Sequence, residues 1–455
     1  MIMHNKYLEA LKQASCGFAL MAMVSMGSAA EAETLGDAVR LALGKNPTIE
    51  QSIAAQESAH EDVTIERSAY FPTISMSTAA GRVYGDNATS RGLSTTRGSG
   101  YSGYWDGSVT VNQMLFDTFK TAHLVDAAKE RVESANLDLK NLQESLALQT
   151  SLSYLNVMKT QATIDCLTSY QDTLKSYETR IGTMVGEGMA DDAELQQAKA
   201  LGIDVEDMLS ELRGQLRASL AEYGRLTGHW PEGVMVRPAS IESLLPPSVD
   251  DAIALAHKNH PLVQKLGHDI DAARLTRESQ TSALFPVVTA ELSSYKKDVA
   301  DVIGGEVVDD RALVRLNWSL SAGGAEFAKI DKAHAEEKRA AAARNDVGRQ
   351  LDTAIRTAYS DMATSKEQVA FAQDRLTSSE ALLAAHKTQF EGGKVRILQI
   401  LQTENQVLKN RMDSIGTEYR ALAAQYSVLG SLGHLQETVL QTSPATPDAP
   451  AGKNR

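Results

Sequence analysis

The sequence predicts a mainly α-helical chain that is duplicated internally, with one pair of β-strands between long helices in each repeat. Two ranges, 73–230 and 287–443, contain none of the eleven prolines, and proline is excluded from helix interiors and central strands. Short motifs at the start of the first range return at the start of the second. At one constant offset, Asn46-Pro47 matches His260-Pro261 and Phe71-Pro72 matches Phe285-Pro286. These observations indicate two copies of one structural unit.

Motifs further along the chain match at a smaller constant offset. Tyr154 matches Tyr359, and Gly188 matches Gly393. The difference between the two offsets means that the first copy carries nine more residues than the second. The range 84–107, rich in Gly, Ser, Thr and Asn, is the predicted insertion.

The N-terminus has the pattern of a secretory signal. Lys6 and Lys12 precede the apolar run 17–24, and Ala30-Glu31-Ala32 fits a small-x-small cleavage site. No later run reaches the length of about 18 apolar residues that a membrane-spanning helix needs. An exported chain can still enter a membrane as β-strands of about ten alternating residues.

Alternating apolar and polar residues predict a β-hairpin in each copy. In the second copy, Val314, Leu316 and Trp318 alternate with polar residues. The predicted strands are 73–84, 105–116, 287–296 and 312–321. Four strands cannot close a barrel, which takes about eight, and open strand edges are not tolerated in lipid. Self-association is therefore expected, and three copies would supply twelve strands.

A long helical pattern follows each hairpin. The apolar residues spaced alternately three and four apart are Val125, Ala128, Val132, Ala135, Leu139, Leu142 and Leu146. This is the 3.5-residue period of a left-handed coiled coil. The first long helix should span 118–183, roughly 100 Å at about 1.5 Å per residue. Glycines then reverse the chain into return helices at 189–227 and 394–432, and shorter helices at 49–69 and 263–283 precede the hairpins.

These patterns divide the chain into five parts. The predicted parts are a signal peptide (1–32), a first repeat (33–228, with hairpin 73–116 and helical hairpin 118–227), an equatorial linker (229–247), a second repeat (248–442, with hairpin 287–321 and helical hairpin 326–432) and a disordered Pro/Ala tail (443–455).

In this order, and repeated, the motifs resemble those of the TolC-like outer-membrane factor family over about 34–440. The motifs that carry the resemblance are Asp37-Ala38 and Asp251-Ala252, the Pro47, Pro72, Pro261 and Pro286 elements, Leu115-Phe116-Asp117, residues 320–324, and the Gly188 and Gly393 turns. The resemblance implies a mainly helical homotrimer in which a twelve-stranded outer-membrane β-barrel continues into a twelve-helix periplasmic coiled-coil tunnel. It also implies a constriction at the helical turns.

The resemblance implies a passive exit duct in the outer membrane of a Gram-negative-type cell. Its partners would be outer-membrane lipid, a periplasmic adaptor and an inner-membrane ABC or proton-driven transporter. Type I protein secretion is favoured because no convincing lipobox is present, and the alternative is a drug or ion efflux pump. The rival from another class is a periplasmic coiled-coil structural or adaptor protein outside the membrane, which would need no amphipathic strand pairs.

Alignment on the tip glycines also implies the site residues. Those at the periplasmic constriction are Asp191, Asp192, Glu194, Arg396, Gln399 and Gln402. Those at the adaptor-docking tips are Gly186, Gly188, Met189, Gly392, Gly393 and Lys394. Better-known members carry aspartates and a Tyr/Arg network at the constriction. In the second repeat the two aspartate positions fall on Gln399 and Gln402, the tyrosine on Phe390 and the arginine on Val395. This sequence therefore departs from the usual carboxylate ring.

The residues alone leave some alternatives open. The acidic residues after Gly188 suit a pore, but they also suit the positive end of a helix dipole. Arg396 could pair across the tip or be solvated. His257 and His260 have no third ligand close in sequence, so neither metal nor cofactor is expected. No catalytic constellation is present, which argues against an enzyme, and the net charge of -13 argues against a nucleic-acid partner.

Overall fold

The computed structural model describes residues 32–84, 101–231, 233–300 and 305–442. The first repeat contains α1 (Leu35–Lys45), α2 (Pro47–Ser68), β1 (Thr73–Val83), β2 (Ser102–Phe116), α3 (Lys120–Gly186) and α4 (Asp192–Thr227). The second contains α5 (Val249–Asn259), α6 (Pro261–Ser282), β3 (Val287–Val299), β4 (Val307–Asn317), α7 (Ala325–Glu391), α8 (Ile397–Leu432) and the short α9 (Leu435–Thr442). The predicted signal peptide, apart from Ala32, the predicted tail and most of the predicted insertion lie outside the described residues.

The two repeats have helices of equal length. α2 and α6 have 22 residues each, α3 and α7 have 67, and α4 and α8 have 36. The starts of α2 and α6 differ by the larger of the two sequence offsets, and the starts of the other two pairs differ by the smaller. The predicted internal duplication is confirmed.

The repeat-start motifs begin helices. Thr34 Oγ1 accepts the Asp37 N–H at 3.2 Å, and Ser248 Oγ accepts the Asp251 N–H at 3.1 Å. Side-chain oxygens at this position satisfy amide groups that have no partner within the helix. Asp37 and Asp251 also place a carboxylate in the first turn of each helix, where the helix dipole favours negative charge.

The next helix in each repeat is capped in a parallel way. Asn46 Oδ1 accepts the Thr48 N–H at 3.0 Å, and His260 Nδ1 accepts the Leu262 N–H at 3.2 Å. The following proline is the first helical residue in both cases, where its missing N–H costs nothing. The starts predicted at 49 and 263 are therefore two residues too late.

The long helix α3 begins later and ends later than the predicted range 118–183. Thr118 and Phe119 have positive φ angles of 56° and 65°, a left-handed conformation that cannot continue into a helix of L-residues. The helix therefore starts at Lys120 and continues to Gly186. The return helices α4 and α8 likewise begin three residues after the predicted positions 189 and 394.

The strands form one antiparallel sheet in the order β1-β2-β3-β4. Residues directly opposite in the register project from the same face. The apolar face contains Ile74, Met76, Val109, Val111, Val288, Ala290, Leu292, Ala312, Val314 and Leu316. The opposite face is polar, and Arg315 Nε lies 2.6 Å from Glu291 Oε2 on it. Each hairpin is therefore amphipathic.

The last strand is displaced from the predicted range 312–321. β4 spans Val307–Asn317, and its ladder with β3 ends at the pair Val287 and Asn317. Pro286 precedes β3 and lacks the N–H that would extend the ladder. Trp318 lies beyond the strand, where its Nε1 donates to the Leu284 carbonyl at 3.0 Å.

The largest core cluster surrounds α3 at mid-length. Tyr154 is fully buried, and its hydroxyl lies 2.8 Å from the Glu33 carbonyl oxygen and 2.7 Å from that of Val236. The Val236 N–H also donates to the Glu33 carbonyl at 3.0 Å. In the second repeat, the matching Tyr359 hydroxyl donates to the Pro246 carbonyl at 2.9 Å. Both tyrosines therefore tie a connecting segment to a long helix.

Within the described ranges, no helix combines the length and apolar character needed to cross a membrane.

Candidate functional site: the helical tips

The two tips are turns of the same geometry. In the first, Met189 N–H donates to Met184 O at 2.8 Å; in the second, Lys394 N–H donates to Gln389 O at 2.8 Å. Gly188 and Gly393 have φ angles of 73° and 69°, which glycine adopts without strain. The predicted docking residues Gly186, Gly188, Met189, Gly392, Gly393 and Lys394 are all exposed.

The structure brings three of the predicted constriction residues together. Arg396 Nη1 lies 3.7 Å from Asp191 Oδ2 and 3.9 Å from Glu194 Oε1. Asp191 and Arg396 are the residues that precede α4 and α8. A basic side chain from the second repeat thus lies against two acidic side chains from the first, and Arg396 is paired within the protein.

The acidic residues differ in their surroundings. Glu194 is only 7% exposed, whereas Asp191 and Asp192 are exposed. Asp191 occupies the position before α4, yet its side chain makes no capping hydrogen bond there. The acidic residues are therefore not explained by a hydrogen-bonded cap at Asp191. Asp192 and Glu194 lie in the first turn of α4, where the helix dipole favours negative charge. This dipole interaction is compatible with the ion pair to Arg396.

The two glutamines lie outside the cluster of Asp191, Glu194 and Arg396, and Gln399 has its own partner. Gln399 Nε2 lies 3.2 Å from His386 Nε2, and His386 Nδ1 lies 2.8 Å from Thr403 Oγ1. This chain of contacts joins α7 to α8. Gln402 is exposed on α8. The glutamines therefore add no charge at the start of α8, and Gln399 contributes to a contact between α7 and α8.

An ion pair between a buried glutamate and an exposed lysine lies further along α8, and the sequence analysis missed it. Glu404 is 8% exposed, its Oε1 lies 2.8 Å from Lys387 Nζ, and it accepts the Tyr177 hydroxyl at 3.1 Å. Burial raises the pKa of Tyr177, with the Glu404 charge acting in the same direction. Burial acts to lower the pKa of Lys387, but its bond with the carboxylate raises it above the ordinary value. The sequence does contain a signal for this contact: Glu404 lies between Leu401 and Leu408 on an apolar helix face, where a carboxylate needs a partner.

A cation also lies over the aromatic ring that takes the family's tyrosine position. The Arg180 guanidinium carbon is 4.9 Å from the centre of the Phe390 ring, within the range of a cation–π contact. Arg180 belongs to α3 and Phe390 to α7. The two repeats are therefore joined near the tips by Arg396, by Tyr177 with Glu404, and by Arg180 with Phe390.

Comparison with solved structures identifies the fold. The Campylobacter jejuni CmeC outer membrane channel superposes with a TM-score of 0.77 at 16% sequence identity, covering 88% of this chain and 86% of that one. The fold is that of the outer-membrane channels, and the predicted fold class is confirmed.

Comparison of sequences identifies the family. The outer membrane efflux protein family matches residues 38–229 and 252–434, and the chain belongs to this family. The outer membrane efflux protein BepC of Brucella suis is 25% identical over 423 residues, covering 91% of this chain and 89% of BepC. The outer membrane protein TolC of Escherichia coli is 20% identical over 430 residues, covering 92% and 85%.

Membership of this family confirms the predicted resemblance and the predicted location. The protein is a TolC-like outer-membrane factor, located in the outer membrane with a large periplasmic part. The family and the fold are those of channel proteins.

Proposed function

We propose that the protein is the passive outer-membrane exit duct of a tripartite efflux pump. In this role it acts as a homotrimer with a periplasmic adaptor and an inner-membrane ABC or proton-driven transporter. The observation that carries the proposal is the amphipathic four-stranded sheet, whose outer strands β1 and β4 each have one unpaired edge within the described part of the chain. Three such sheets joined edge to edge give a closed twelve-stranded barrel.

The faces of the sheet support this role. The apolar face, which includes Val314 and Leu316, suits contact with lipid. The polar face, which carries the Glu291–Arg315 pair, suits a water-filled channel. A purely structural coiled coil in the periplasm has no use for a sheet divided in this way.

The tips are the proposed docking surface for the adaptor. The exposed glycine turns lie at the far ends of α3 and α7, each 67 residues long and so about 100 Å from the sheet at ~1.5 Å per residue. Cysteines at Met189 and Lys394 should crosslink to a co-expressed adaptor. Crosslinks from the linker range 229–247 instead would contradict docking at the tips.

The tip cluster is the proposed periplasmic constriction. Arg396 pairs the start of α8 with the start of α4, so these contacts favour the state in which the two return helices lie together at their tips. Each copy contributes Asp191, Asp192 and Glu194 against one arginine, which leaves the acidic charges in excess. The constriction should therefore favour cations.

The cargo is proposed from the relatives. BepC is described as an efflux protein, which favours efflux over the type I secretion expected from the sequence. A strain lacking the protein should accumulate a transported dye or drug and regain efflux when the gene is restored. If drug accumulation is unchanged but a secreted protein is retained inside the cell, the duct serves type I secretion.

A further inference from the structure

A pocket lies where the first repeat passes from helices to sheet. It has a volume of about 400 Å³ and is formed by the end of α2, the residues before β1 and the first turns of α3. We call it the junction pocket, and its lining residues are Arg67, Tyr70, Phe71, Ala122, Val125, Asp126 and Lys129. Charged and aromatic side chains therefore share one pocket directly beside the sheet.

The junction pocket lies at the level of the membrane boundary. Phe71 is 68% exposed and Tyr70 is 45% exposed, and exposed aromatic rings mark the interface between lipid and water in membrane proteins. Ile74 on the apolar sheet face follows Phe71 by three residues, which span at most about 11 Å. The polar layer on each side of the hydrocarbon is roughly 5–8 Å thick. When the apolar face contacts lipid, the pocket therefore lies in the headgroup layer.

The junction pocket opens on the outer side of the helices. Asp126 precedes Tyr154 by 28 residues, or four heptads, so the 3.5-residue period of α3 places both side chains on the same side of the helix. At Tyr154 that side carries the segments of Glu33 and Val236. A duct whose bore is open to cargo has its connecting segments outside the helices, so the junction pocket faces outward as well.

The pocket presents positive charge. Lys129 Nζ lies 2.7 Å from Asp126 Oδ1, whereas Arg67 is exposed and has no ion-pair partner among the described residues. Arg67 therefore gives the lining one net positive charge. A guanidinium group binds phosphate through two parallel hydrogen bonds, which makes a phosphate group the matching ligand.

The corresponding place in the second repeat carries neither basic residue. At the repeat offsets, Arg67 corresponds to Thr281 and Lys129 to His334. The Thr281 hydroxyl donates to a carbonyl of its own helix, and His334 Nδ1 lies 3.6 Å from Glu337 Oε2. The difference in charge indicates one site in each copy of the protein.

We propose that the junction pocket binds a phospholipid of the periplasmic leaflet. The phosphate lies on Arg67 with Lys129 beside it, and the acyl chains lie along Ile74 and Met76 of β1, which are 72% and 77% exposed. The inference goes beyond the proposed duct but rests on it, because the pocket meets lipid only if the sheet enters the membrane. The bound lipid would connect α2 and α3 where the barrel joins the helices.

Lipid binding to the purified trimer tests the site. The probe is phosphatidylethanolamine, because its ammonium group can approach Asp126 while its phosphate meets Arg67. Native mass spectrometry of delipidated protein titrated with this lipid should show three tightly bound molecules per trimer. Arg67→Gln combined with Lys129→Gln should weaken this binding by about tenfold or more, because two charged hydrogen-bond donors are lost.

The matched control is Lys329→Gln combined with Lys332→Gln. These lysines are exposed near the start of α7 and line a different pocket, so their replacement removes the same charge near the same level of the protein. The control should bind the lipid as the wild type does. Equal weakening in both double variants would show a general effect of charge and overturn the site.

Competition and reconstitution separate the remaining outcomes. Excess glycerol 3-phosphate should leave the lipid bound, since it has no acyl chains; displacement by it would assign the pocket to soluble phosphate esters and overturn the lipid proposal. If the protein enters lipid vesicles as a trimer but the Arg67 and Lys129 double variant binds lipid like the wild type, the lipid site is wrong and the duct proposal stands. If the wild-type protein does not enter vesicles, both proposals fail.

Discussion

Asp191 and Arg396 occupy the same position in the two repeats and face each other, with Oδ2 and Nη1 separated by 3.7 Å. One position at the start of a return helix therefore carries a negative charge in the first repeat and a positive charge in the second. If three copies form a ring, the starts of the six return helices alternate in charge around it.

Replacement of Arg396 by glutamine should favour the open channel. The ion pairs with Asp191 and Glu194 would be lost, and exposed pairs of this kind are worth about 0.2–1 kcal/mol. The open state of each tip should then gain up to about fivefold in population. Single-channel recording measures the open fraction and the conductance. Lys394→Gln removes the same charge two residues away and is the control, so an equal effect of both variants would contradict a role for the pair.

Replacement of Glu194 by glutamine should reduce cation selectivity. Glu194 is the buried member of the acidic group and would be present three times around the axis. Gln399→Ala should have almost no effect, because Gln399 carries no charge and contacts His386. Reversal potentials in a salt gradient measure the selectivity. Unchanged selectivity after replacement of Asp191, Asp192 and Glu194 together would show that these residues do not face the pore.

Replacement of Leu316 by arginine should impair trimer assembly in the membrane. Leu316 lies on the apolar face of the sheet opposite Val288, one residue before the end of β4, where a charge facing lipid costs less than the about 2–4 kcal/mol of a mid-bilayer position. Asn317→Arg places the same side chain on the polar face and should be tolerated. The yield of heat-resistant trimers in outer-membrane fractions distinguishes the two variants. Equal assembly of both would argue against a lipid-facing strand.

Replacement of His260 by asparagine should make stability less sensitive to acid. Burial lowers the pKa of His260 below its ordinary value of 6.5, and the nearby His434 acts in the same direction. The neutral ring accepts the Leu262 N–H, so its contribution is present above about pH 6.5 and is lost as the pH falls through the lowered pKa.

The matched substitution is suggested by the first repeat, where Asn46 performs the same cap without titrating. The wild-type protein should lose more stability than His260→Asn as the pH falls from about 7.5 to about 5. Thermal unfolding followed by circular dichroism at each pH measures this difference. Parallel pH profiles of the two proteins would show that His260 does not titrate in this range.

Much of the fold follows from periodicity, because a long amphipathic helix or strand repeats its pattern many times. The helices from Lys120 and Ala325 and the sheet strands were predictable for this reason. The end of β4 was not, because it depends on where Pro286 stops the partner strand. The short α9 was also missed, since its start is held by Glu144 Oε2, which accepts the Leu435 N–H at 2.7 Å across 291 residues of sequence.

The site likewise contains features that could be predicted from the sequence and contacts that could not. The glycine turns and the acidic residues after Gly188 could be located from local motifs and from the family pattern. The contacts of Glu404 with Lys387 and Tyr177 could not, because Tyr177 is 227 residues away in sequence and no local pattern reports which helix faces which. Arg396 was located, but the sequence left open whether it pairs or is solvated, because its partners Asp191 and Glu194 belong to the other repeat.

The joint at Glu33, Val236 and Tyr154 has a consequence for the order of folding. Glu33 is synthesised about two hundred residues before Val236, an interval of many seconds at roughly 5–20 residues per second. The N-terminal segment can reach its final contacts only when the linker is present, so the first repeat cannot close before the linker has been made.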